Sequence, residues 1–215
     1  MSWYINSYYV VLALGILTGA IHFHTLSASS RWFWGLLACT VVVESVAWYG
    51  AEIIHKNLAV YRFFIPIQYV LIVVAYRSEL SLFSLLALLS IIFILIFWLA
   101  DIILNFSLIH EQYPTLLKTI CNLLVISWCL LFLNALLRSE TTESFTTYPL
   151  FWLGTGWLLF SIVNLIFFGT VNYLGQEQQE FLLFFSYARI GSNLILYSLF
   201  IVAFLAKQDR MPTSS

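Results

Sequence analysis

Polar residues in this chain are gathered into short clusters, and between them run apolar stretches long enough to cross a bilayer. A spanning helix needs about 20 mostly apolar residues, because backbone groups left unpaired in hydrocarbon cost several kcal/mol each. Seven stretches meet that need, at 4–25, 32–54, 58–76, 82–104, 115–137, 148–170 and 180–206. The expected fold class is an all-α membrane protein: one seven-transmembrane-helix domain over 1–206, followed by a short disordered tail, 207–215. Links such as Ser27 to Arg31 and Arg138 to Glu143 separate the spans, and only His55, Lys56 and Asn57 divide the second from the third. Trp32, Trp34, Tyr76, Tyr113, Tyr148 and Trp152 gather near the proposed ends, where amphipathic rings favour the headgroup region. The first span has no basic stretch before it and no small-residue cleavage site after it, so it is expected to persist in the mature protein.

An odd number of spans puts the termini on opposite sides. Arg31, Arg77, Arg138, Lys207 and Arg210 fall with the C-terminus, whereas Lys56, Lys118 and the nearby Arg62 fall with the N-terminus. The positive-inside rule therefore predicts an outside N-terminus and a cytoplasmic C-terminus, in a multi-pass protein of the plasma or inner membrane. Composition agrees: 62% of residues are hydrophobic and 9% charged, against about 25% charged in soluble domains. The lipid bilayer is thus the first partner. A net charge of −1 gives no argument for nucleic acid.

Helices in lipid associate through close packing and interhelical hydrogen bonds, so small residues are informative. Gly15 and Gly19 form a G-x-x-x-G, and Ala47 with Ala51 repeats the spacing on the second span. Both are read as packing faces within one bundle. Pro66 removes a backbone donor inside the third span and is expected to kink it, opening room beside Gln68 and Tyr69; Pro149 fits the first turn of the sixth. Cys39, Cys121 and Cys129 lie within spans at no metal-ligand spacing and read as small packing residues.

A charge at mid-membrane costs about 2.5–3.5 kcal/mol on insertion scales, so Glu44, Glu52, Arg62, Asp101 and Arg189 each need a partner or water. Glu44, Trp48, Glu52 and His55 follow helical spacing on the second span, as do Ser186, Arg189, Asn193 and Tyr197 on the seventh. Most ionisable and amide groups fall in the half nearer the N-terminus; His22, His24 and Asn134 lie in the other. This asymmetry predicts an outward-facing pocket closed toward the cytoplasm, with ligand-binding residues Glu44, Trp48, Glu52, His55, Arg62, Tyr69, Asp101, Arg189, Asn193 and Tyr197. The competing reading makes the charges clamps between helices, Arg189 with Asp101 or Glu44 and Arg62 with Glu52. Glu52 and His55 have the Glu-x-x-His spacing of carboxylate-bridged metal sites, but such sites need a second copy. No cofactor is expected, and the sequence contains no G-x-S-x-G, His-Glu-x-x-His or phosphate-cradling glycine loop.

Among seven-helix families, microbial rhodopsins attach retinal to a lysine in mid-seventh helix; here that span carries Arg189 and no lysine before Lys207. Ceramidase-like membrane hydrolases hold zinc with several histidines, which are too few and too scattered here. The segment Tyr148-Pro149-Leu150-Phe151-Trp152-Leu153-Gly154-Thr155-Gly156-Trp157-Leu158-Leu159-Phe160 resembles a stretch of uncharacterised seven-helix membrane modules associated with bacterial sensor histidine kinases. That resemblance covers about one helix and implies a sensory input unit. Since the chain ends soon after its seventh span, it implies a signal passed to a separate cytoplasmic partner. The functional expectation is a receptor-like or sensory membrane protein binding a small ligand, anionic or lipid-derived. The alternatives are a small-solute or proton-coupled transporter, a membrane-embedded enzyme, and an accessory subunit of a membrane complex.

Overall fold

The computed structural model describes residues 2–53, 57–106, 109, 113–138, 145–170 and 179–206, with backbone alone at 2–6, 81, 170, 179–183, 185 and 186. The described residues are helical with no strand. The long helices are α1 (Ser2–Ile21), α2 (Ala28–Ile53), α3 (Leu58–Arg77), α4 (Ser84–Leu104), α5 (Thr115–Arg138), α6 (Pro149–Thr170) and α7 (Gln179–Leu205). From α2 to α7, six helices are long and apolar enough to cross a membrane; α1 adds the apolar stretch Ser7–Ile21. The protein is a multi-pass membrane protein. The tail 207–215 and the linker residues Ser139 to Glu143 lie outside the described residues.

Two boundaries differ from the sequence expectation, for local reasons. Helix α1 stops at Ile21, and His22 turns back to bond Thr18 through Nδ1 at 3.0 Å. Helix α2 starts at Ala28 because the Ser27 hydroxyl caps it, accepting from the Ser30 N–H at 3.2 Å. Ser29 then donates to Glu79 just past the end of α3 at 2.9 Å, which ties two connections together on the side of the bundle away from the N-terminus. Pro149 is the first residue of α6, where its missing N–H leaves no helical bond unmade.

Contacts run α1–α2–α3–α5–α6–α7 and back to α1, with α2 touching α6 across the ring. Helix α4 stands outside this ring against α3 and α5, and only Ala87 and Ile94 on it are buried. Its anchorage follows from Pro66. A proline at that position cannot donate to the Arg62 carbonyl one turn earlier, and an unpaired carbonyl in hydrocarbon is costly. The indole Nε1 of Trp98 on α4 donates to that carbonyl at 3.2 Å. Three residues further along α4, Asp101 faces the Arg62 guanidinium at 3.6 Å, with side chains 15% and 2% exposed respectively.

Toward the C-terminal side the ring is filled by aromatic side chains. Phe33, Tyr76, Phe132 and Phe200 meet at centroid separations of 5.8 to 6.0 Å, and the Tyr76 hydroxyl contacts Cys129 Sγ at 3.2 Å. On the same side α1 closes on its neighbours through glycine. A Cβ on Gly19 would collide with Trp34 Cδ1 and stand 3.0 Å from Phe204, and one on Gly15 would stand 3.0 Å from Leu37. Trp34 fastens the contact by donating to the Ile16 carbonyl at 3.1 Å. The G-x-x-x-G face is therefore spent inside the bundle. Toward the N-terminus the same two helices separate. Tyr9, Leu12, Ala13, Ile16 and Leu17 of α1 and Val41, Glu44, Ser45, Trp48 and Tyr49 of α2 follow one helical spacing and line a groove of about 760 Å³.

Candidate functional site

At the end of the bundle that carries the N-terminus lies a cavity of about 480 Å³, walled by α1, α2, α3, α5, α6 and α7. Aromatic side chains pack the ring closed on one side, whereas on the other tyrosines and charged and amide side chains line an open space.

Two cations reach the cavity. Lys118 sits in the first turn of α5 with 7% exposure, and its Nζ donates to Gln68 Oε1 at 2.7 Å. Arg189 in α7 lies on the open side, its guanidinium 5.5 Å from the Phe167 ring centre, and its backbone carbonyl accepts from Ser192 Oγ and Asn193 Nδ2. A guanidinium over a ring face keeps its charge while shedding part of its hydration. Glu44 is the acid on this wall. Tyr61 donates to it at 3.3 Å, and Tyr8 is hydrogen-bonded to both Glu44 and Tyr197. The Glu44 carboxyl is half-buried, with phenolic donors beside it and Arg189 nearby. Above it Tyr113, in the connection before α5, stacks on Phe168 of α6 at 4.9 Å with rings nearly parallel. Burial pushes the Tyr113 phenol up to about 12, with the Arg189 charge opposing, so it stays a neutral donor at ordinary pH.

The structure brings four of the expected residues to this cavity: Glu44, Arg189, Asn193 and Tyr197. The others are elsewhere. Trp48 is 62% exposed and lines the outer groove, and Glu52 is exposed. Tyr69 is packed in the core, although its neighbour Gln68 does reach the cavity. Arg62 and Asp101 pair with each other at the α3–α4 contact, a pairing different from either clamp the sequence suggested. His55 lies outside the described residues. No three His, Cys, Asp or Glu side chains come together as a metal site among the described residues. Cys39, Cys121 and Cys129 are free thiols.

The sequence reading left out Lys118, Gln68, Tyr8 and Tyr61. A signal for Lys118 existed: with Cys121, Asn122 and Val125 it keeps helical spacing, and all four are buried on one face of α5. Counting it as a loop charge concealed that face.

No protein-family model, curated protein or solved structure matches the chain. Fold and site define a class: a multi-pass helical membrane protein with a charged, tyrosine-rich cavity at one end and aromatic packing at the other.

Proposed function

We propose that the protein is a receptor-like membrane protein that captures a small anionic ligand in the cavity at its N-terminal end and passes the event to a separate partner. The supporting observation is the pairing of Lys118 and Arg189 across one cavity where the one acid among the described lining residues, Glu44, is already engaged by Tyr8 and Tyr61. Two donors with one committed counter-charge leave the cavity a net appetite for an anion, and charge-assisted bonds are the strong ones in a dry site. The aromatic packing on the far side favours capture over passage, because a carrier needs polar groups along an exit path. In this reading the N-terminus is outside, the cavity opens outward from the plasma or inner membrane, and ligand shifts α7 against α1 and α6, its largest contacts.

The test is thermal unfolding of the purified protein against a panel of small anions and anionic lipids. A true ligand raises Tm in the wild type with a dependence on its concentration, and does so much less in Arg189→Met. Reconstituted vesicles then show no flux of that ligand. Stabilisation that persists undiminished in Arg189→Met, or saturable flux, would contradict the proposal.

A further inference from the structure

The groove between α1 and α2 and the charged cavity are not separate features: Tyr9 and Glu44 belong to the walls of both. Helices with matched stripes at helical spacing ordinarily close on each other. Here they are pinned together at one end by Gly19 against Trp34 and by the Trp34 bond to Ile16, and they diverge toward the other. The closed end lies near the end of α1 and the start of α2, and the groove meets the polar cavity at Tyr9 and Glu44. Its flanks face the bilayer, with Leu17, Trp48 and Tyr49 all exposed. From Tyr9 to Leu17 it runs about 12 Å along α1 at 1.5 Å per residue.

Resting on the proposed anion capture, we infer that the ligand is a single-chain anionic amphiphile, a monoacyl phospholipid, which enters sideways from the bilayer. Its acyl chain lies in the α1–α2 groove and its phosphate lies between Lys118 and Arg189. Two observations point to this occupant and away from a second protein helix. The groove wall is aliphatic and aromatic apart from Ser45, whose hydroxyl is bonded to the Val41 carbonyl of its own helix, and Glu44 at the junction. A groove that joins, at Tyr9 and Glu44, a cavity lined by two cations fits a molecule with one tail and one anionic head. The chain adds little attraction of its own, since lipid tails match the apolar wall; it holds the head at the cavity and so raises its effective concentration there.

The test uses the full chain in phosphatidylcholine nanodiscs and three probes: 1-oleoylglycerol 3-phosphate, the zwitterionic 1-oleoylglycerophosphocholine, and glycerol 3-phosphate, which has the head without the tail. Occupancy is read by native mass spectrometry. The anionic monoacyl lipid binds one per protein, and Ala13→Phe, which fills the groove, weakens it about tenfold while leaving glycerol 3-phosphate within about twofold. Lys118→Met weakens both anions. Should Ala13→Phe fail to fold, Trp48→Ala serves, since its side chain faces lipid; it weakens the lipid about threefold and the free head not at all. Glycerol 3-phosphate binding as tightly as the lipid, with both groove variants silent, would overturn the inference and leave anion capture standing. Equal binding of the zwitterionic lipid would also overturn it. Failure of both anions to bind would remove anion capture and the inference together.

Discussion

At the residue scale the informative groups are the charges, and burial separates their roles. Arg62 is enclosed with Asp101 beside it, so removing the acid takes a charge partner from a buried cation. Asp101→Leu is expected to destabilise the protein by about 1–3 kcal/mol, and Arg62→Met in the same chain is expected to recover part of it. Thermal unfolding in one detergent reads both; equal stabilities of the single and double variants would refute the pairing. Lys118 behaves differently. Methionine fills much of the same space and leaves only Gln68 short of a partner, a loss of about 1 kcal/mol, while anion affinity falls at least about tenfold. Titration against stability separates those effects. Glu44 and Arg189 were legible as intramembrane charges at helical spacing. The Arg62–Asp101 pair was not, because nothing in either helix reveals that α4 packs on α3 outside the ring.

At the element scale, bonds made by single side chains decide how helices sit. Trp98 answers the carbonyl that Pro66 leaves open, so Trp98→Phe keeps the ring and loses the donor. The expected cost is about 1–2 kcal/mol, with greater protease sensitivity before and after α4. Unchanged stability would mean that the Arg62 carbonyl finds another donor. Gly19→Ala places a methyl against Trp34 and is expected to cost about 1–3 kcal/mol by forcing α1 away from α2 and α7. The contact between a Trp34 label and α1 would report that separation. The Gly15/Gly19 spacing showed a packing face in the sequence, and the structure supplies its partners, Leu37, Trp34 and Phe204. The start of α2 was misplaced because Ser27 and its neighbours look like a polar link, whereas Ser27 is the helix cap.

At the scale of the whole molecule, seven apolar stretches appear in the sequence, and the described residues form seven long helices, six of them long and apolar enough to cross a bilayer. Their arrangement is another matter. Helices apolar on every side carry no stripe that names an inward face, so the six-membered ring, the outlying α4 and the groove between α1 and α2 emerge only from packing. The positive-inside reading predicts that a peptide tag at the N-terminus is reached from outside intact cells and one at the C-terminus only after permeabilisation. The reverse pattern would turn the cavity toward the cytoplasm. The most direct measurement of the central claim is native mass spectrometry of the protein released gently from the membranes in which it is made. One discrete anionic adduct per chain is expected, absent from the Lys118→Met, Arg189→Met double variant. An adduct retained by that variant, or bare protein in both, would contradict the assignment of the cavity.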